Sequence, residues 1–350
     1  MALPDFQLLR PRSLAEAIEL LAKHAASAQV VAGGTDIIPS MGQHLFAPRF
    51  LVDIRGIGEL RGIREHDGGL EIGALTTLTT IERSPEIARN YPVLHEAAKT
   101  VASPLLRNMG TIGGNICLDT RCLWYNQSLQ WRKSCGFCIK SPRRANIGLA
   151  GAPEEKDGDL CHVAPGGTKC WAAFSGDTPP ALLCLEAEIE IAGPKGTRRV
   201  PLSEFYTNVG DARMKLAKNE LLTRVLLPAK TAGWRGVYRK LRIRGSIDYP
   251  LAGVAITLKG SNGRVVDAKV AITAVNPAPL IVKGATEALA GREVNEELAL
   301  HIGELAARMA KPLTTSALTP EYRREMIRVF TKRAVLEAVG QRPSTNDQRP

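Results

Sequence analysis

Cysteines are the residues of this sequence best suited to do chemistry. Six of the seven lie between Cys117 and Cys170, and their spacing includes a Cys-x2-Cys at 135–138 and a Cys-x8-Cys at 161–170. Converging thiolates hold either iron–sulfur clusters or structural zinc. An odd cysteine count in a chain without a recognisable secretory signal argues against a disulfide framework. We therefore expect a metal or redox site, with iron, zinc and simple packing all open at this point.

Two double-glycine turns form the second chemical feature. The segments GGTD at 33–36 and TIGGN at 111–115 each follow an apolar stretch. Glycine has no Cβ to keep phosphate oxygens away from main-chain N–H groups, so successive amides can form an anion-binding nest. Neither segment matches the dinucleotide-binding or P-loop consensus. The pair predicts a diphosphate site without identifying its ligand.

Local patterns predict the elements that position the first turn. Ser13 and Glu16 form a capping box for a helix that extends to about residue 24. Residues 29–32 predict a strand that leads straight into the first turn. The same reasoning predicts strands at 50–54 and 70–72 and a helical region over about 79–101 that is interrupted near Pro92.

The later sequence predicts a second domain. An alternating strand is expected within 181–192, and Asn262-Gly263 predicts a hairpin between strands at 254–258 and 268–275. Helices are expected at about 295–310 and 320–338. Residues 117–176 lack periodicity, as is typical of an insertion folded around something other than a hydrophobic core.

These elements predict an α+β fold in two parts. The first covers residues 1–228 and contains the insertion, and the second is a smaller α+β domain over 235–340. The tail at 341–350 is expected to be disordered.

Composition narrows the classes of partner. The net charge is +11, but the Lys and Arg residues are dispersed and only 5% of residues are aromatic, so nucleic-acid binding is not expected. The apolar runs are too short to span a bilayer, and a cytoplasmic protein is expected. The basic surface suits an acidic protein partner, or it is simply a solvated surface.

Five segments together carry a family resemblance: VVAGGTDI at 30–37, IGALTT at 72–77, TIGGN at 111–115, GDTPPALL at 176–183 and YRKLRIRGSIDYP at 238–250. They resemble, in the same order, the FAD-binding subunit of the xanthine oxidase family of molybdenum enzymes. The resemblance covers almost the whole chain and implies a two-part FAD-binding domain of the PCMH type. It implies that FAD is bound by Val30, Val31, Ala32, Gly33, Gly34, Thr35, Asp36, Ile37, Val101, Thr111, Gly113, Gly114, Asn115, Asp177, Leu222 and Lys240. Asp177 would accept from a ribose or ribityl hydroxyl, and Lys240 would stabilise anionic reduced flavin.

The insertion resembles one branch of that family, the β subunits of 4-hydroxybenzoyl-CoA reductases, whose insertion binds a 4Fe–4S cluster. The segments LDTRCLWYNQS and CHVAPGGTKCWA carry this resemblance. It implies Cys122, Cys138, Cys161 and Cys170 as ligands, with Cys135 as the rival to Cys138. Cys117 and Cys184 are interpreted as packing residues.

The resemblance implies an electron-transfer subunit. Its partners would be a small subunit with 2Fe–2S clusters and a large subunit with molybdopterin and the substrate site, in a dimer of heterotrimers. Ferredoxin would supply electrons through the 4Fe–4S cluster and FAD for the reductive dehydroxylation of 4-hydroxybenzoyl-CoA to benzoyl-CoA. Candidate docking residues for ferredoxin are Arg121, Arg132, Lys133, Lys140, Arg143 and Arg144.

Two alternatives stay open. One is another molybdenum hydroxylase, which would oxidise an aldehyde or an N-heterocycle. The other is a zinc-stapled, non-catalytic scaffold subunit.

Overall fold

The structure is a computed structural model that describes residues 3–141, 158 and 160–341 of the 350-residue chain. The tail predicted to be disordered lies outside this part except for Gln341. No helix in the described ranges is both long and apolar enough to cross a membrane. The fold is α+β, as predicted, and is built on three sheets.

The strands of the described residues are β1 Gln7–Leu9, β2 Ala28–Val31, β3 Phe50–Asp53, β4 Ile63–His66, β5 Gly69–Gly73, β6 Glu188–Gly193, β7 Gly196–Pro201, β8 Leu221–Leu227, β9 Arg235–Leu241, β10 Ala252–Ser261, β11 Arg264–Thr273 and β12 Leu280–Ile281. The α-helices are α1 Leu14–His24, α2 Ile37–Gly42, α3 Leu78–Arg83, α4 Pro85–Asn90, α5 Pro92–Thr100, α6 Pro104–Met109, α7 Ile112–Ile116, α8 Leu129–Cys135, α9 Thr178–Cys184, α10 Leu202–Phe205, α11 Ala285–Leu289, α12 Glu296–Met309 and α13 Pro320–Ala338.

The N-terminal sheet is parallel, with strand order β1-β3-β2. Helix α1 covers it, and Ala17 and Leu21 are buried in its core. The Ser13 hydroxyl accepts from the Glu16 N–H at 3.2 Å, which confirms the predicted cap. Strand β2 lies at the edge of this sheet and ends at Val31, so the first glycine turn begins at that edge.

The second sheet is antiparallel, with strand order β4-β5-β8-β6-β7. Its core is shared with helices α5 and α9, which bury Val93, Leu94 and Leu182. Strand β8 lies in the middle of the sheet, and every residue of LLTRVLL except Arg224 is buried. Because both faces of β8 are buried, its sequence does not alternate between apolar and polar residues as a half-exposed strand would.

The third sheet, β12-β11-β10-β9, forms the C-terminal part together with helices α11, α12 and α13. Strand β10 alternates between two cores: Val254 and Ile256 belong to the core beneath the C-terminal helices, and Ala255 belongs to the core of the second sheet. Asn262 and Gly263 connect β10 to β11 with φ values of 50° and 76°, which confirms the predicted hairpin.

Two predicted elements have different bounds. The helical region over 79–101 is three helices, because Ser84 and Tyr91 each precede a proline, and a residue before proline disfavours the helical conformation. The strand expected within 181–192 begins only at Glu188, because residues 178–184 form α9 with Pro179 in its first turn.

Candidate functional site

The first glycine turn presents unpaired main-chain donors. It links β2 to α2, and within the described part of the chain the N–H groups of residues 33–36 donate to no other group. Four successive amides without acceptors form the kind of nest that binds a phosphate group. The turn therefore has free amide donors, and its contact with the FAD diphosphate stays a prediction.

The second glycine turn has a different local role. The Thr111 hydroxyl accepts from the Gly114 N–H at 3.1 Å and caps α7. The N–H groups of Ile112 and Gly113 donate to the carbonyls of Thr76 and Ala74, both at 3.0 Å. The amides of this turn are thus already used to fix it to the second sheet. The contact of Thr111, Gly113, Gly114 and Asn115 with FAD stays a prediction.

The two turns lie against each other. A Cβ on Gly33 would lie 2.0 Å from the Met109 carbonyl oxygen, and a Cβ on Gly110 would lie 3.8 Å from the Thr35 hydroxyl. The first of these distances is impossible for a side-chain carbon, so position 33 must be glycine for the turns to meet. This contact brings the predicted FAD segments 30–37 and 111–115 together.

Asn115 connects the second turn to the start of α9. Its Oδ1 accepts from the Thr178 N–H at 3.0 Å and from the Thr178 hydroxyl at 2.7 Å. The neighbouring Asp177 is 2% exposed. Its two carboxylate oxygens accept from the Tyr238 hydroxyl at 2.8 Å and from the Lys240 Nζ at 3.2 Å. Burial raises the pKa of Asp177, and Lys240 and Tyr238 act in the opposite direction.

Lys240 is enclosed by acceptors. Only 2% of its side chain is exposed, and Nζ also donates to the carbonyls of Thr100 at 3.0 Å and Asp248 at 3.2 Å. Val101, which follows Thr100, is half-buried, and Leu222 is buried in the same core. Hydrogen bonds thus connect Asn115 to Thr178, beside Asp177, and connect Asp177 through Lys240 to Thr100, beside Val101. Their individual contacts with FAD stay predictions.

Three of the four predicted cluster ligands share one buried cluster. Cys122, Cys138 and Cys170 pack with Leu45 and Tyr125. Burial raises the pKa of Cys122 to about 11 and that of Cys170 to about 12. Cys161, the fourth predicted ligand, is 5% exposed.

The other three cysteines have different surroundings. Cys135 is exposed. Cys117 packs at the edge of the second sheet's core and Cys184 lies within that core, as expected for packing residues. Within the residues that the structure describes, no three Cys, His, Asp or Glu side chains are already arranged to hold a metal ion.

Two buried donors without acceptors border the cysteine cluster. Arg132 is 1% exposed, and its Nη1 has no hydrogen-bond partner. Asn126 accepts from the Cys122 N–H at 2.9 Å through Oδ1, but its buried Nδ2 has no partner either. Buried polar groups are nearly always satisfied, so an acceptor beside these two donors would stabilise both of them. Thiols and unpaired N–H donors are together the right chemistry for an anionic iron–sulfur cluster.

An ion pair connects the first glycine turn directly to the segment that carries the cysteine cluster. Asp36 of the first turn forms an ion pair with Arg121, the residue before Cys122. The Tyr249 hydroxyl donates to Asp36 at 3.1 Å, and the Arg121 guanidinium lies 4.4 Å from the Tyr249 ring centroid. Helix α2 begins at the first turn and leads to Leu45 in the cysteine cluster. Its six residues span about 9 Å.

The residues proposed from the sequence as a docking surface are largely internal, which corrects that interpretation. Arg121 pairs with Asp36, Arg132 is buried, and 5% of the Lys140 side chain is exposed. Of the described residues in that set, Lys133 alone is exposed. Arg143 and Arg144 lie outside the described residues. Basic residues in an insertion are expected to lie at the surface. Here several of them are internal, because acceptors from distant segments of the chain bind them.

Gly210 is a site residue that the sequence did not indicate. A Cβ there would lie 2.7 Å from the Cys170 Sγ and 2.8 Å from the Ala172 nitrogen. Its carbonyl accepts from Lys140 Nζ at 3.1 Å and its N–H donates to the Cys170 carbonyl at 2.9 Å. The sequence around Gly210 does not indicate its role, because the residues that it contacts lie at least 38 positions away.

Comparison with known proteins agrees with this geometry. Residues 4–230 match the family described as the FAD binding domain in molybdopterin dehydrogenase, and residues 236–338 match the CO dehydrogenase flavoprotein C-terminal domain. The chain is 31% identical to the carbon monoxide dehydrogenase medium chain of Afipia carboxidovorans, over 95% of this chain and 96% of that protein. It is 27% identical to the putative xanthine dehydrogenase FAD-binding subunit of Escherichia coli, over 94% of each.

A solved structure shows the same fold over the same length. Reconstituted CO dehydrogenase from Oligotropha carboxidovorans superposes with a TM-score of 0.77 at 29% identity, over 97% of this chain and 100% of that chain. Both family matches are contiguous and in order, and they account for the glycine turns and the C-terminal sheet. The chain is therefore an FAD-binding subunit that belongs to the xanthine oxidase family of molybdenum enzymes.

Proposed function

We propose that this chain is the FAD- and 4Fe–4S-containing electron-transfer subunit of an enzyme of the 4-hydroxybenzoyl-CoA reductase type. The observation that carries the proposal is the buried cysteine cluster. Three of its thiols pack together, and two buried N–H donors beside it have no acceptor. A buried guanidinium is costly in an apolar core unless acceptors face its N–H groups, and one N–H group of Arg132 faces none among the described residues.

The residues that would hold each group are distinct. The amides of residues 33–36 would bind the FAD diphosphate, and the thiolates of Cys122, Cys138, Cys161 and Cys170 would hold the cluster. When bound, FAD and the cluster supply two-electron and one-electron redox chemistry. The chain's own part is to keep both groups out of water and close together, through the Asp36–Arg121 pair and α2.

The names of the relatives support the choice of partners. One is named as the medium chain of carbon monoxide dehydrogenase and another as the FAD-binding subunit of a putative xanthine dehydrogenase. We propose that this chain assembles with a small 2Fe–2S subunit and a large molybdopterin subunit, as a dimer of heterotrimers, and that the large subunit holds the substrate. Ferredoxin is the proposed electron donor.

Another molybdenum hydroxylase is a second candidate function. It is favoured by the relatives described above, whose names specify carbon monoxide and xanthine as substrates. In that case the enzyme would oxidise an aldehyde or an N-heterocycle, and the insertion would serve a different electron acceptor. A zinc-stapled scaffold is a third, since the same thiols would bind zinc.

Cysteine variants test the cluster, with a matched pair inside one motif. Cys138→Ser should lose iron, whereas Cys135→Ser should keep it, because Cys138 is buried in the cluster and Cys135 is exposed. Iron per FAD is measured on anaerobically purified protein. Equal iron loss in both variants, or in neither, would contradict the ligand set.

The reaction needs the assembled enzyme. The complex purified with its partner subunits should form benzoyl-CoA from 4-hydroxybenzoyl-CoA with reduced ferredoxin. Oxidation of an aldehyde or N-heterocycle without that activity would instead establish the second candidate.

A further inference from the structure

Arg132 is a buried cation without a counter-charge. Its Nη2 donates to the His44 carbonyl at 2.6 Å and its Nε to the Gln127 carbonyl at 3.3 Å. Nη1 donates to nothing, and no carboxylate among the described residues forms an ion pair with this guanidinium. A charge taken out of water is costly unless an opposite charge faces it. An anion beside Nη1 would therefore stabilise the buried guanidinium of Arg132.

Among the described residues, two aromatic rings place Arg132 at the cysteine cluster. The guanidinium carbon lies 5.9 Å from the Tyr125 ring centroid and 5.8 Å from that of Phe137. Tyr125 packs with Cys122, Cys138 and Cys170 in the cysteine cluster, and Phe137 is the residue before Cys138. The unpaired Nη1 of Arg132 is therefore next to the predicted cluster ligands.

Asn126 is a second buried donor without an acceptor beside the cysteine cluster. Its Oδ1 is fixed by the Cys122 N–H at 2.9 Å, which sets the orientation of the amide. The Nδ2 group is buried and unpaired. The Nη1 of Arg132 and the Nδ2 of Asn126 thus lack acceptors next to the same buried cysteine cluster.

We propose that Arg132 and Asn126 donate hydrogen bonds to sulfur atoms of the cluster and thereby raise its reduction potential. The inference rests on the proposed function, since it requires that the four cysteines hold a 4Fe–4S cluster. Thiolate ligation leaves the cluster anionic, and the added electron increases its negative charge. A buried cation and N–H donors to sulfur stabilise the reduced form more than the oxidised form. Arg132 and Asn126 are positioning residues and not ligands.

The chain offers a matched control for the charge. Arg132→Met removes a buried cation beside the cluster, and Lys133→Met removes an exposed cation one residue away. Arg132→Lys restores the charge without the planar guanidinium. Asn126→Leu removes the amide donor without a change of charge, but it also removes the Oδ1 acceptor of the Cys122 N–H, whereas Asn126→Asp keeps that acceptor and removes the donor. The midpoint potential of each cluster is measured on the full-length protein by a dithionite titration followed by electron paramagnetic resonance.

The expected order of potentials follows from the contacts. Arg132→Met should destabilise the reduced cluster at least tenfold relative to the oxidised one, a fall of about 59 mV for a one-electron couple. Asn126→Leu should lower the potential less, Arg132→Lys should recover part of the loss, and Lys133→Met should stay close to the wild type. Exchangeable-proton couplings to the reduced cluster should decrease in Arg132→Met and in Asn126→Leu.

The results that would contradict this inference differ from those that would contradict the proposed function. If Arg132→Met and Asn126→Leu keep their iron and the wild-type potential, Arg132 merely holds the His44 carbonyl and the inference fails. If Arg132→Met does not fold, Asn126→Leu decides alone. Wild-type protein without iron would overturn the proposed function before any variant is compared, so the two failures are distinguishable.

Discussion

Replacing Gly33 with alanine tests the contact that positions the FAD-binding turn. The new Cβ would lie 2.0 Å from the Met109 carbonyl oxygen and 2.7 Å from its carbon. Both atoms are backbone, so the two turns must separate by about 1.5 Å to restore an ordinary contact. A hydrogen bond of about 2.9 Å that lengthens by that amount is effectively lost.

The size of the effect follows from the donors involved. The amides of residues 33–36 have no acceptor within the described chain, so they are free to bind the diphosphate. A hydrogen bond to a charged group contributes about 1.5–3 kcal/mol. Losing one such bond should weaken the Kd for FAD by roughly 10- to 150-fold.

The assay is a titration of deflavinated protein with FAD, followed by flavin fluorescence. Gly42→Ala is the matched control, because a Cβ at Gly42 meets nothing within 4 Å. It should bind FAD as the wild type does. A folded Gly33→Ala protein with wild-type affinity would refute the idea that this backbone contact sets the FAD site.

Three further substitutions test other contacts. Gly210→Ala should lower iron per FAD without releasing FAD, because its Cβ would lie 2.7 Å from a cysteine sulfur; an unchanged ratio would contradict this. Asp119→Asn leaves the buried Lys140 without the carboxylate that now lies 2.8 Å away, and should cost about 3 kcal/mol of unfolding free energy in urea, whereas Asp67→Asn at the exposed surface should cost almost none. Tyr238→Phe removes one of the two donors to the buried Asp177 carboxylate and should cost about 1–3 kcal/mol in the same assay; equal stability would mean that Lys240 alone satisfies it.

Local signals in the sequence were sufficient for several elements. The Ser13 cap and the Asn262-Gly263 hairpin depend only on side chains and dihedral angles within a few residues, and both are present. Helix α13, Pro320–Ala338, has the predicted bounds because proline marks its first turn. Strand β8 was not predicted, since a strand buried on both faces lacks the alternation that reveals an exposed one.

The site was predictable by residue type but not by environment. Glycine turns and clustered cysteines are recognisable because few other residues provide free amides or thiolates. The burial of Arg132 was not predictable, because its acceptor at His44 lies 88 positions away in the sequence. The same holds for Gly210 and Cys170, which meet only through the tertiary fold. Long-range packing is thus what converts apparent surface charge into an internal part of the site.

The presence of an iron–sulfur cluster is tested most directly by the content of iron, acid-labile sulfide, zinc and FAD in anaerobically purified wild-type protein. We predict about four irons, four sulfides and one FAD per chain, with no stoichiometric zinc. Zinc without iron, or FAD with no metal at all, would contradict the proposal that the buried cysteines hold an iron–sulfur cluster beside the flavin site.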